Sequence, residues 1–216
     1  LDPPLRLALT DVATRLDLAR LSLHGDIIVE RRAPELRMGR AVVVPPPGGF
    51  LQATEVGEAV LADLATAALG KAKKIADLFC GVGPFTLRIA EGRAVDGFDS
   101  DAPAIAALTR AARGTPGLKP LKAEARDLFR RPLLAHELKS YDAVVLDPPR
   151  AGAEAQVKQL ALAKAPARIV YVSCDPQSFA RDAALLIGAG YRLEQVTPVD
   201  QFAYTAHLEL VGVFAR

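Results

Sequence analysis

From Gln52 to the C-terminus the chain alternates short, continuously apolar runs with stretches of helical apolar spacing, and this alternation leaves few folds open. The helix spacing begins over Glu55–Leu69, with Gly70 as its stop. The runs "KKIADLF", "AVDGFD", "LKPLKAEA", "YDAVVLD" and "ARIVYVS" are each followed by a helical pattern: "PFTLRIAEG", "DAPAIAALTRAAR", a less regular stretch from Arg126 to Lys139, "GAEAQVKQLALAK" and "PQSFARDAALLIGAG". Strands that are apolar on both faces must be covered on both faces, which predicts a mostly parallel sheet between two helix layers. "RLEQVTPVD" and "AHLELVGVFA" follow with no helix between them, so one terminal strand runs antiparallel. The expected fold class is α/β, a doubly wound, mostly parallel, seven-stranded sheet. In such sheets ligands gather at the carboxyl ends of the strands.

The first 47 residues differ in kind. "RLDLARLSLHGDIIVERR" alternates on both sides of His24-Gly25-Asp26 as a hairpin does, and "GRAVVV" reads as a third strand, ended by Pro45–Pro47. Residues 1–47 are therefore expected to form a small β-rich appendage and residues 48–216 the main domain. Half of the 216 residues are apolar, enough for a sizeable core. Lys and Arg number 27 against 25 acids, a net +2 that excludes a strongly basic nucleic-acid tail. Two cysteines and no long apolar run point to a reducing compartment and no membrane span, hence the cytoplasm. The chain opens Leu-Asp-Pro-Pro, and a piece of a longer protein is expected.

The chemistry should sit at the strand ends. "DLFCGVGPFTL" carries Asp77, then Gly81 and Gly83 before a helix, a turn that brings backbone close to a ligand, or merely a tight turn. Cys80 there reads as a small packing residue. Asp99 in "GFDSD" stands about 20 residues on, where an acid takes ribose hydroxyls; Ser100 or Asp101 serves as well for a helix cap. Asp127 in "ARDLF" is either a ligand to an amino group or a cap. "VVLDPPRAG" delivers Asp147 to the rim, stiffens the loop with two prolines and adds Arg150. In "VYVSCDPQSFARD", Cys174 ends a strand and precedes a helix, whose dipole favours a thiolate, while Asp175 opposes it. A lone cysteine is more often packing. In "DQFAYTAHLEL", Glu209 lies within an apolar strand, either buried for use or facing solvent at an edge.

Taken in order and spacing, "DLFCGVGPFTL", "DPPRAG", "VYVSCDPQSFARD" and "DQFAYTAHLEL", with "GGFLQAT" ahead of the sheet, resemble the motifs of the bacterial RNA 5-methyluridine methyltransferases. The resemblance covers Gly48 to the C-terminus. It implies a Rossmann-like class I methyltransferase with S-adenosylmethionine as methyl donor, ribosomal or transfer RNA as substrate, and a monomer. It places Gln52, Phe79, Gly81, Asp99, Asp127 and Asp147 at cofactor-binding positions, Arg150 facing the target base, Cys174 as nucleophile and Glu209 as base. No metal is implied. The residues before Pro45 look like the tail of a central domain that precedes the catalytic one in that family.

The sequence departs from the family at Asp175, where many members have Asn, at Pro84 for Asn, at Asp99 for Glu and at Ala203 for Pro. Two rival readings are a base amino-group methyltransferase built on "DPPR" and a non-catalytic remnant that binds RNA or cofactor. The first puts Arg150 where an aromatic normally stacks the base, and both leave Cys174 and Glu209 idle.

Overall fold

The computed structural model describes residues 1–163, 165–202, 204–205 and 207–216. The N-terminal region holds a helix, α1 (Pro3–Arg15), that no clear pattern announced; Asp2 caps it through the Leu5 amide. The hairpin expected around His24 and Gly25 forms from β1 (Arg20–Leu23) and β2 (Asp26–Glu30). "GRAVVV" does not extend that hairpin. Its strand β4 (Ala41–Val43) pairs with β3 (Leu36–Met38) in a second small sheet, and Met38, Ala41 and Val43 pack on the main domain.

The main domain follows the alternation. α2 (Glu55–Ala68) leads into β5 (Lys74–Leu78), α3 (Pro84–Ile89), β6 (Ala94–Asp99), α4 (Ala102–Arg113) and β7 (Leu121–Ala125). The irregular stretch after β7 contains a single turn, α5 (Ala135–Leu138). Then come β8 (Ala143–Leu146), α6 (Glu154–Leu162), β9 (Arg168–Ser173), α7 (Pro176–Gly188), β10 (Arg192–Val199) and β11 (Glu209–Ala215). Lys164, Ala203 and Ala206, within the motifs above, lie outside the described residues.

The seven strands order as β10-β11-β9-β8-β5-β6-β7. β11 inserts between β9 and β10 and runs antiparallel to both, so it is the one reversed strand. The continuous apolar runs now have a physical reason. Successive residues of each central strand serve opposite layers. Ile75, Val145, Val170 and Val172 pack with Leu61, Ala65, Phe85 and Ile89 of α2 and α3. Ala76, Leu78, Val144, Leu146, Ile169 and Tyr171 pack with Val157, Phe179 and Leu186 of α6 and α7. Leu146 is fully buried, and its truncation to Ala costs about 2–5 kcal/mol. No described helix is long and apolar enough to cross a membrane.

Candidate active site

The carboxyl ends of β5, β6, β8 and β9 and the start of β11 form one rim. β9 stops at Ser173, whose hydroxyl accepts from the Asp175 amide at 3.2 Å and donates to the Asp175 carbonyl at 3.0 Å. That tight turn projects Cys174 at the corner before α7. β9 pairs with β11 as far as Ser173↔Leu210, so Cys174 and Glu209 are the residues next beyond the last shared pair. Glu209 is 5% exposed, on an interior strand rather than an edge. Burial raises its carboxyl above the ordinary range, and the Gln201 amide offsets part of the rise. Burial also raises the Cys174 thiol, the Glu209 and Asp147 carboxylates add to this, and Arg150 opposes it.

Asp175 has a structural duty of its own. It is the N-cap of α7, accepting from the Gln177 and Ser178 amides at 2.9 Å each, and lies 4.0 Å from the Arg150 guanidinium. Those amides hold its carboxyl below the usual range.

The second half of the rim is acidic. The Asp147 amide donates to the Leu78 carbonyl, which ties the end of β8 to the end of β5. Burial pushes the Asp147 carboxyl well above the usual range, and Glu209, Asp77 and Asp99 push it further. Gln52 reaches in from the segment before α2 and donates to Asp147 at 3.2 Å, while its own carbonyl accepts from Gln201. Asp77 is the residue whose weight the sequence pattern understated. It is fully buried inside β5; Thr86 donates to one carboxylate oxygen at 2.5 Å, and the other has no partner among the described residues. Burial raises it to about 7, against the Thr86 hydrogen bond and with help from Asp99. A carboxylate in a strand that is otherwise apolar was the available signal.

The glycine turn is open to a ligand. Gly81 has φ +51° and nothing within 4 Å of where a Cβ would stand. Phe79 is also left-handed, at φ +65°, a strained state for a bulky residue and one that concentrates at functional sites. Its ring sits 5.4 Å from that of Phe129. Asp99 accepts from the Gly81 amide at 2.9 Å and the Asp101 amide at 2.8 Å, so it shapes the glycine turn as well as the rim. Asp101, not Asp99, caps α4. Asp127 accepts from the Phe129 and Arg130 amides and pairs with Arg130 at 3.6 Å, so it holds a turn rather than capping the next helix, α5, which begins at Ala135. Cys80 is buried under Gly97 and packs in the core. Arg150 is exposed above Asp175.

An acidic basin beside an open glycine turn and a pair of aromatic rings suits a ligand that is cationic at one end and a flat heterocycle at the other. S-adenosylmethionine has both. With the strand order and the single reversed strand, the architecture is that of a class I S-adenosylmethionine-dependent methyltransferase. Residues 120–216 match the family model described as tRNA (Uracil-5-)-methyltransferase. The chain is 53% identical over 211 residues to an uncharacterized RNA methyltransferase of Brucella suis, covering 98% of this chain and 51% of that protein. It is 41% identical over 197 residues to the 23S rRNA (uracil(1939)-C(5))-methyltransferase of Thiobacillus denitrificans, covering 85% and 44%. The solved tRNA (uracil-54, C5)-methyltransferase of Pyrococcus abyssi, in complex with S-adenosyl-L-homocysteine, superposes with TM-score 0.75 at 32% identity, over 88% of this chain and 47% of that one. Its C-terminal part matches the RNA uracil-5-methyltransferase family model, and the chain spans about half the length of the curated relatives it matches.

Proposed function

We propose that residues 48–216 are the catalytic domain of an enzyme that methylates carbon 5 of a uridine in RNA through a covalent Cys174 adduct. The observation that carries this reading is the apposition of Cys174 and Glu209 at the end of a shared strand register, beside the acidic basin. S-adenosylmethionine, when bound, supplies an electrophilic methyl on a sulfonium. Gln52, Gly81, Asp99 and Asp147 are the residues placed to hold it, Phe79 lends an apolar wall, and Asp127 contributes by fixing the loop that carries Phe129.

Carbon 5 of uracil is too weak a nucleophile to take a methyl group unaided. The Cys174 thiolate adds to carbon 6, forming a carbon–sulfur bond and moving the ring's electron pair onto carbon 5 as an enolate. With carbon 5 methylated, Glu209 removes its proton, the double bond returns and the carbon–sulfur bond breaks, releasing the thiolate. A buried Glu209 with a raised pKa is better matched to that proton than an ordinary carboxylate. Arg150 supplies the positive charge near the thiol and stands where the target base must enter. Both faces of the ring are needed, so the uridine leaves its stack or comes from a loop.

The test is nucleoside analysis of unmodified ribosomal and transfer RNA incubated with labelled cofactor and the full-length protein. Label in 5-methyluridine, absent with Cys174→Ala, is the expected result. Label in a methylated amino group would replace this reading with the amino-group one.

A further inference from the structure

The stretch that bears Cys174 continues as "PQSFARD", and the reaction above uses nothing beyond the cysteine. The rest of it is bound to the loop that carries Asp147 and Arg150. Asp182 on α7 is fully buried. Its Oδ2 accepts from the Ala153 amide at 2.7 Å and from the Tyr171 hydroxyl at 2.6 Å, and its Oδ1 accepts from Arg181 Nε at 2.9 Å. Arg181 in turn donates through Nη2 to the Ala151 carbonyl at 2.9 Å. The Tyr171 hydroxyl also lies 3.2 Å from the Ala153 amide. Between these two fastened residues stands Gly152, at φ +77°. A Cβ there would come within 2.5 Å of Arg181 Nη2 and 2.8 Å of Asp182 Oδ2. The side chains of α7 therefore close directly over the loop backbone.

We infer that Arg181 and Asp182 are positioning residues for the reaction: they lock the 147–153 loop to the helix that follows the nucleophile, and so set Arg150 beside Cys174. The loop is held at both ends. At Asp147 its amide is bound to β5, and at Ala151–Ala153 it is bound to α7. Pro148 and Pro149 remove two amide donors and stiffen the loop, and the Gly152 amide closes it on the Pro149 carbonyl at 2.8 Å. Arg150 is the one residue between these anchors with a charge; its guanidinium is exposed and held by a 4.0 Å contact with Asp175 and by the backbone beneath it. A charge free to drift by a few ångströms loses a sizeable part of its effect on a neighbour. A misplacement of that size in a reacting group typically costs on the order of a hundredfold in rate.

This inference rests on the covalent reading for its kinetic consequences, but not for its test on the thiol. In the full-length protein, the rate of Cys174 alkylation by iodoacetamide is followed against pH by peptide mass spectrometry. It is measured in the wild type, Arg181→Ala, Asp182→Asn, Arg150→Ala and the Arg181→Ala/Arg150→Ala double variant. Arg181 is half exposed, but its loss leaves the buried Asp182 carboxylate without its ion pair, so thermal melting checks that both Arg181→Ala and Asp182→Asn remain folded. The expected result is an upward shift of the alkylation midpoint in Arg181→Ala and Asp182→Asn towards that of Arg150→Ala, with no further shift in the double variant. Methyl transfer in Arg181→Ala should fall about tenfold to a hundredfold in kcat with KM for the cofactor little changed, and Arg181→Lys should recover part of it. Alkylation profiles identical to wild type in both single variants overturn the inference. So does an additive shift in the double variant, which would show that Arg181 acts by another route. A wild type that alkylates normally but methylates no uridine would instead count against the proposed function, with the clamp judged on the thiol alone.

Discussion

Cys174 and Glu209 stand next beyond Ser173 and Leu210, the last pair shared by β9 and β11, and the Glu209 carboxylate acts on the Cys174 thiol. The two groups belong to strands that are adjacent only because β11 reverses and inserts beside β9. Their separation along the chain is bridged by α7 and β10, so the pair exists only in the finished sheet. The proximity has an electrostatic cost: the Glu209 carboxylate disfavours the thiolate, second only to burial. A site that must generate a thiolate beside a base needs compensating positive charge, and Arg150 and a bound sulfonium are its two sources.

Glu209→Gln separates the two halves of the reaction. Adduct formation and methylation need only Cys174, whereas release needs a base at carbon 5. Ordinary RNA, with no trapping analogue, should then remain attached to the protein with its uridine already methylated. Turnover should drop by about two to four orders of magnitude. Denaturing gels and mass measurement of the band check this; free methylated RNA released at the wild-type rate would remove Glu209 from the role.

Asp99 and Asp127 occupy corresponding positions at the ends of β6 and β7, yet they should differ sharply. Asp99 holds the Gly81 amide and faces the basin, so Asp99→Ala should weaken cofactor binding by roughly tenfold or more. Asp127 is spent on the Phe129 and Arg130 amides and on Arg130 itself. Asp127→Asn, which keeps an oxygen for those amides, should change affinity by less than about threefold. Calorimetric titration with S-adenosylhomocysteine distinguishes them without any turnover.

Asp77 makes folding stability depend on pH. Its folded pKa is raised to about 7, against about 3.9 in an unfolded chain. The native state therefore holds the proton over a range where the unfolded state has lost it. The associated stability is fully present below the unfolded value and is lost as pH rises through about 7. Between pH 5 and pH 8 the wild type should lose about 2 kcal/mol more than Asp77→Asn, whose amide still accepts from Thr86. Urea melts of both proteins at the two pH values measure the difference, and parallel losses would show that Asp77 is not the source.

Much of this was legible before any coordinates. Apolar runs such as "AVVL" and "RIVYVS" specify two-sided strands, because alternate residues must serve both helix layers. The strand-end placement of Asp99, Asp147 and Cys174 follows from that alone. Three things did not follow. α1 has an apolar face too weak and too exposed to stand out by period. "GRAVVV" carries a strand signal but no information about its partner, which turned out to be Leu36–Met38. The capping duty of Asp175 was not legible in sequence, since proximity to Cys174 along the chain says nothing of which amides the carboxylate takes. Capping α7 takes it to the amides of Gln177 and Ser178. The same limitation hid Asp182, which is six residues past the helix start and becomes meaningful only when α7 lies over the 147–153 loop.

The most direct measurement is adduct trapping with RNA in which uridine is replaced by 5-fluorouridine. Fluorine at carbon 5 cannot leave as a proton, so once carbon 5 is methylated the carbon–sulfur bond has no route to break. Incubated with S-adenosylmethionine and the full-length protein, the RNA should give a band stable to denaturation, mapped by peptide mass spectrometry to Cys174 and absent in Cys174→Ala. Methylation of unsubstituted RNA at carbon 5 with no trapped adduct would contradict covalent catalysis by Cys174.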